Sequence, residues 1–123
     1  RISEYTKVLP KPMIQVGSKP IIEHIINYYM KFGYKDFIIA SGYKHSIIKN
    51  YFKKKNLSAN IKVINTGVET LTGTRLKKLA NELKNTFMLT YGDGLSNVNL
   101  TELLSFHKKK KNLTNLLFLK KIM

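Results

Sequence analysis

The sequence predicts an α/β fold in which helices cover both faces of a mainly parallel sheet, a three-layer α/β/α arrangement. Three observations predict it: short apolar runs occur, two of which end at a glycine; helix-spaced apolar residues follow each run; and the two patterns alternate along the chain. Right-handed strand–helix–strand crossovers place helices on both sides of such a sheet. Ligands bind beyond the carboxyl ends of its strands.

The first helix is predicted to begin at Pro20 and to end before Gly33, because proline is favoured in the first turn and glycine after the last. Further helices are predicted at residues 43–52, 74–84 and 100–111. Strands are predicted at residues 36–42, 60–65 and 86–91, with residues 113–119 as a further candidate. The strand ends direct attention to Ser41-Gly42, Thr66-Gly67 and Gly92-Asp93-Gly94.

The composition is that of a globular domain without disulfides. Hydrophobic residues make up 43% of the 123 residues, and cysteine is absent, which excludes disulfide frameworks and thiolate metal sites. No apolar run approaches the ~18 residues that a membrane-spanning helix needs, and no signal-peptide pattern opens the sequence. We therefore expect a cytoplasmic protein that has no membrane partner.

The formal net charge of +15 raises the question of nucleic-acid binding. Nearly all the basic residues are Lys, with Arg only at Arg1 and Arg75, whereas proteins that read base edges depend on Arg. The lysines are spread along the chain, apart from runs at 53–55 and 108–111. A small phosphate-rich substrate fits this charge equally well, and we expect no specific nucleic-acid partner.

Lys11 lies between two prolines. Proline fixes φ and lacks an N–H group, so Pro10 and Pro12 hold an extended, rigid segment. A lysine held in this way suits binding of a phosphate group. The alternative is a proline-flanked turn with Lys11 in solvent.

Asp93 follows a predicted strand and lies between two glycines. Glycines allow the backbone to approach a ligand closely, and a carboxylate at this edge can hold Mg²⁺, which in turn holds nucleotide phosphates. The alternative is an ordinary Asp-Gly turn.

Residues 70–76 lie where a loop becomes a helix. Backbone N–H groups at a helix N-terminus bind anions, and Arg75 would add donors. The alternative is helix capping by Thr72 or Thr74. The two interpretations are compatible.

Together these segments resemble the sugar-phosphate nucleotidyltransferases, and among them the enzymes that use CTP. Arg1-Ile2 resembles the end of the family's glycine-rich loop, which Pro10-Lys11-Pro12-Met13 would follow. The other matching motifs are Gly17-Ser18-Lys19-Pro20-Ile21, Asp36-Phe37-Ile38-Ile39 with Gly42-Tyr43-Lys44, Asn65-Thr66-Gly67, Thr72-Gly73-Thr74-Arg75-Leu76-Lys77 and Tyr91-Gly92-Asp93-Gly94. The resemblance extends to about residue 110.

The resemblance implies a Rossmann-like fold and transfer of CMP from CTP to glucose 1-phosphate, which gives CDP-glucose and pyrophosphate. It implies that Arg1 and Lys11 act in catalysis by neutralising the triphosphate and the leaving pyrophosphate. The residues implied to bind the nucleotide are Lys11, Thr70, Arg75 and Gly92. Asp93 is implied to hold the Mg²⁺ cofactor.

The resemblance covers only part of the family's pattern. We expect residues 1–123 to form a partial nucleotidyltransferase domain that lacks the family's first strand and its C-terminal half, with an atypical tail at 112–123. Such a chain is expected to be inactive alone, and the full-length enzyme could form a homo-oligomer. Two alternatives stay open: a nucleotidyltransferase for another sugar or base, and a non-enzymatic basic module that binds nucleic acid.

Overall fold

The computed structural model describes residues 7–83 and 86–110. In chain order, the elements are a 3₁₀ helix (Lys11–Met13), strands β1 (Gln15–Val16) and β2 (Lys19–Pro20), helix α1 (Ile21–Lys31), strand β3 (Asp36–Ser41), helix α2 (His45–Lys54), strand β4 (Asn60–Asn65), and helices α3 (Thr72–Lys78) and α4 (Leu100–Lys110). β1 and β2 form an antiparallel hairpin, whereas β3 and β4 pair in parallel.

The β3–α2–β4 unit confirms the predicted α/β fold with parallel strand pairing. Its register runs from Asp36 opposite Asn60 to Ser41 opposite Asn65. A side-chain hydrogen bond of 2.9 Å from Asn60 Nδ2 to Asp36 Oδ1 marks the start of the pair. The parallel register places the carboxyl ends of both strands at one edge of the sheet.

The chain lies on both faces of this sheet, as the three-layer prediction requires, but only one face is closely packed. On one face, α1 and α2 form a core whose buried members are Met13, Ile22, Ile26, Ile48 and Phe52, packed against strand side chains such as Phe37 and Val63. Lys62 lies on the opposite face, because successive strand residues alternate. Its ammonium bonds both carboxylate oxygens of Glu82, beyond α3, at 2.7 and 2.8 Å.

The predicted strand at residues 86–91 is wrong, since this segment has no regular structure. Within residues 7–83 and 86–110, β3 pairs only with β4. Both β3 and residues 86–92 line an apolar cavity of about 1440 Å³ and do not pair across it. A strand needs partners for its N–H and C=O groups. A β-prone sequence is therefore not sufficient to make this segment a strand when no neighbouring strand pairs with it.

The helices lie where the sequence predicts them, except that α3 is shorter than predicted. α3 ends at Lys78 rather than at residue 84, and the chain then tightens into turns such as Leu79 N–H to Leu76 O (3.0 Å), which bury Leu79. α4 begins as predicted, with Asn99 Oδ1 accepting the N–H groups of Thr101 and Glu102. The candidate strand at 113–119 lies outside the described residues. No described helix is long and apolar enough to cross a membrane.

A buried carboxylate joins α1 to α2. Glu23 is 1% exposed and accepts a short hydrogen bond from the Tyr51 hydroxyl. The ammonium groups of Lys19 and Lys55 each lie 3.5 Å from its carboxylate. Burial alone would raise the pKa of Glu23, but the Tyr51 hydrogen bond and the two lysines outweigh burial and hold that pKa below its usual value of 4.5.

The depressed pKa makes the stability of the chain depend on pH. Ionised Glu23 stabilises the fold above pH 4.5, and this contribution is lost as the pH falls through the lower pKa of the folded state. We predict that Glu23→Gln lowers the free energy of unfolding by about 1–3 kcal/mol at pH 7, and that the difference vanishes in acid. Urea titrations between neutral pH and the acid limit measure it. Glu102→Gln, at an exposed glutamate, is the control; an equally large effect there would contradict the prediction.

Candidate functional site

The candidate site lies at the carboxyl ends of β3 and β4, which approach each other through two glycines. A Cβ atom at Gly42 would lie 2.2 Å from the carbonyl oxygen of Gly67, so only glycine fits at position 42. Gly67 itself has φ +99°, a conformation that favours glycine. The N–H and hydroxyl groups of Thr66 both donate to Ser41 O, at 2.8 and 3.0 Å. These bonds join the two strand ends directly.

Arg75, on α3, reinforces this junction. One terminal nitrogen of its guanidinium donates to Ser41 O (3.4 Å) and to the Thr66 hydroxyl, and the other donates to Val68 O (3.3 Å). Three of the five guanidinium N–H groups are thus used within the protein. Arg75 also lines a cavity of about 350 Å³.

Thr70 lies in the loop that follows β4, and its hydroxyl is bonded within that loop. It donates to Thr66 O at 2.7 Å, and Lys78 Nζ donates to the same carbonyl at 2.7 Å. Thr70 lines neither of the two cavities described here. The alternative in which threonine caps α3 is wrong, because Leu71 occupies the N-cap position with no side-chain hydrogen bond.

Lys11 lines the same 350 Å³ cavity as Arg75, although 64 positions separate them in the sequence. It is an exposed residue of the 3₁₀ helix, whose Met13 N–H donates to Pro10 O at 2.8 Å. The Met13 side chain is buried in the core and anchors the segment to it. The structure therefore brings Lys11 and Arg75 to one cavity at the strand ends.

Gly92 packs directly against the segment that carries Lys11. A Cβ atom at position 92 would lie 2.7 Å from Pro12 Cγ, so the Pro12 ring packs directly against the backbone at Gly92. Asp93 follows as an exposed residue of a turn in which Gly94 N–H donates to Tyr91 O at 3.2 Å. The turn that was the alternative interpretation is present, and it is compatible with a ligand role for Asp93.

Asp93 fits Mg²⁺ as a single protein ligand. Within residues 7–83 and 86–110, no group of three or more His, Asp or Glu side chains could surround a metal ion. Mg²⁺ commonly keeps several waters and binds through one or two carboxylates together with substrate phosphates. The chemistry of an exposed carboxylate matches that mode of binding, but Asp93 itself lines neither the cavity of Lys11 and Arg75 nor the larger one.

Sequence reasoning located the loops of the site but missed several of the residues that hold them. Ser41 and Thr66 were noted only as strand ends, yet Ser41 Oγ also lies 2.6 Å from His45 Nδ1. Lys78 had no signal in the sequence, because its acceptor is a backbone carbonyl. Arg1 lies outside the described residues.

The close approach at Gly42 leads to a stability prediction. Gly42→Ala is expected to lower the free energy of unfolding by about 1–3 kcal/mol or more, because the new Cβ meets a backbone oxygen that cannot move alone. Gly73→Ala is the matched control, since nothing lies within 4 Å of its Cβ position and alanine favours the helix. Urea denaturation compares the two. Equal stabilities for the two variants would contradict the geometry of the junction.

Comparison with known proteins places this chain in a family. The family model described as "Nucleotidyl transferase" matches residues 1–122. Glucose-1-phosphate cytidylyltransferase of Salmonella typhimurium is 38% identical over 141 residues, which covers 93% of this chain and 55% of that protein. Probable glucose-1-phosphate cytidylyltransferase of Bacillus subtilis is 38% identical over 132 residues, covering 89% and 52%.

A third relative uses a different base. D-glycero-alpha-D-manno-heptose 1-phosphate guanylyltransferase of Campylobacter jejuni is 34% identical over 103 residues, covering 84% of this chain and 47% of that protein. The chain spans about half the length of the curated relatives it matches. Because the family model covers nearly all of its residues, the chain belongs to the nucleotidyl transferase family.

Proposed function

We propose that the protein containing this chain acts in the cytoplasm as a glucose-1-phosphate cytidylyltransferase, transferring CMP from CTP to the sugar phosphate. The observation that carries the proposal is the shared cavity of Lys11 and Arg75 at the carboxyl ends of two parallel strands. Ligands of parallel sheets bind at such edges. The 38% identity to two cytidylyltransferases supports the choice of substrates.

In this reaction an oxygen of the sugar 1-phosphate attacks the α-phosphorus of CTP. A P–O bond forms to the sugar phosphate while the bond to the bridging oxygen of the β-phosphate breaks. Pyrophosphate leaves with that electron pair, so the protein need not form a covalent intermediate. Its tasks are to align the reactants and to stabilise the negative charge that develops on the leaving group.

Lys11 and Arg75 divide these tasks by their chemistry. The ammonium of Lys11 is a point charge on a segment held by flanking prolines, and it would meet the β- and γ-phosphates. The guanidinium of Arg75 is fixed by Ser41, Thr66 and Val68, so its remaining N–H groups would bind a ligand with little loss of side-chain entropy.

Asp93 would hold Mg²⁺, which when bound supplies positive charge against the phosphates. The contact of Gly92 with Pro12 supports this placement, because it keeps the Asp93 turn beside the segment of Lys11. A triphosphate bound here would meet the ammonium of Lys11, and Asp93 would hold the Mg²⁺ that accompanies it. Thr70 is placed here only by its position in the loop after β4, and Arg1 only by resemblance.

A guanylyltransferase is the second candidate, because the Campylobacter guanylyltransferase is 34% identical to this chain, only a little less than the 38% of the two cytidylyltransferases. The base is therefore the least constrained part of the proposal.

The test is pyrophosphate release by the product of the complete reading frame that contains these residues, with glucose 1-phosphate and each of CTP, GTP, UTP and dTTP. We predict turnover with CTP in excess of the other nucleotides. Lys11→Ala should lower kcat/KM by on the order of 10²–10³-fold, the loss typical of removing one group that stabilises transition-state charge. Lys7→Ala, at an exposed side chain four residues earlier, is the control.

Two results would contradict the proposal in different ways. Preference for GTP with heptose 1-phosphate or mannose 1-phosphate would replace CTP and glucose 1-phosphate but keep the reaction. Full activity of a folded Lys11→Ala variant would remove Lys11 from the chemistry.

A further inference from the structure

Lys44 binds two backbone carbonyl groups of the segment that leads to Lys11. Its Nζ atom donates to Lys7 O at 2.6 Å and to Val8 O at 2.7 Å. The Tyr43 hydroxyl donates to the same Lys7 carbonyl at 3.4 Å. The loop between β3 and α2 therefore holds the chain three and four residues before Lys11.

The segment of Lys11 is held from its other side by the core. Met13 is buried, its N–H donates to Pro10 O at 2.8 Å, and Ile14 N–H donates to Lys11 O at 3.1 Å. Between this anchor and the Lys44 contacts, the prolines restrict the backbone further. Removal of Lys44 would leave the Met13 side chain in the core but loosen the chain before it, including the carbonyl groups of Pro10 and Lys11 that accept the N–H groups of Met13 and Ile14.

The backbone at Lys44 is unusual. Among the described residues, it is the only non-glycine residue with positive φ, at +51°. Glycine adopts this conformation at no steric cost, whereas lysine is strained there. A lysine at such a position indicates that its side chain contributes something that glycine would not, and strain of this kind is concentrated at functional sites.

We infer that Lys44 is a positioning residue: through the carbonyl groups of Lys7 and Val8, it fixes where Lys11 meets the phosphates of the nucleotide. This inference rests on the proposed nucleotidyl transfer. Lys44 touches no substrate in this account. Its ammonium is directed at two peptide carbonyls, and its effect on the reaction passes through Lys11.

The test uses the same protein as above and separates position from stability. Lys44→Gly removes the ammonium and relieves the strained backbone, so the unfolding midpoint should stay level or rise. Lys44→Met removes the ammonium and keeps the backbone strain. Both variants should lower kcat/KM for the nucleoside triphosphate by about tenfold or more, since small displacements of catalytic groups are costly. Lys49→Met, at an exposed lysine of the adjoining helix α2, should change nothing.

A double-mutant cycle tests whether Lys44 affects kcat/KM through Lys11. Once Lys11 is replaced by Ala, adding Lys44→Gly should lower kcat/KM by less than about twofold, because residues that act through one another are not additive. Full additivity in the cycle would overturn the inference. The inference would also be overturned if the unfolding midpoint of Lys44→Gly fell far enough for unfolding alone to explain the loss of activity. Lys44 would then stabilise the fold and would not position Lys11.

Amide hydrogen exchange provides a readout that does not need activity. Lys44→Gly and Lys44→Met should speed exchange at Met13 and Ile14, whose N–H groups bond within the held segment, and Lys49→Met should not. Unchanged exchange would overturn the inference whether or not nucleotides are turned over. Faster exchange in a protein inactive with every nucleotide would instead reject the proposed function while the contacts of Lys44 stand.

Discussion

Gly42 and Gly67 bring the carboxyl ends of β3 and β4 into contact, and the geometry of the candidate site depends on this contact. Thr66 lies at the junction and is 2% exposed; its N–H and hydroxyl groups bind Ser41 O, while Arg75 and Lys78 bind its own oxygens. The loop that carries Thr70 and leads to Arg75 therefore starts from a rigid point. A rigid base of this kind lets loop residues keep the precise placement that phosphoryl chemistry needs.

The basic side chains at this edge of the sheet are bound by oxygen atoms that carry no formal charge. Where carboxylates are close, as with Glu23 and Glu82, lysines form ion pairs. At the strand ends, the cations of Lys44, Lys78 and Arg75 instead meet backbone carbonyl and hydroxyl oxygens. Carbonyl dipoles fix a cation without cancelling its charge, so the edge stays positive. A positive, rigid edge attracts a polyanion such as a nucleoside triphosphate before any specific contact forms.

Local sequence signals predicted the elements whose causes are local. The periodicity of α1 and α2 and the apolar runs of β3 and β4 placed these elements within about two residues, because side-chain spacing determines which face is buried. Residues 86–91 carry an equally clear strand signal and form no strand, since pairing depends on a partner elsewhere. Lys44 and Arg75 bind backbone carbonyl groups, which every residue type carries. The sequence therefore pointed to the segments that contain these residues but could not predict their contacts. The ligand roles of Lys11, Arg75 and Asp93 stay predictions.

The central proposal is that Asp93 holds the metal ion of the nucleotide whose phosphates meet Lys11. Paramagnetic broadening of amide signals by Mn²⁺, in place of Mg²⁺, measures this directly in isotope-labelled protein with CTP present. The account predicts broadening concentrated at residues 92–94 and 11–13, lost in Asp93→Asn. Broadening concentrated along α4, or unchanged by Asp93→Asn, would contradict it.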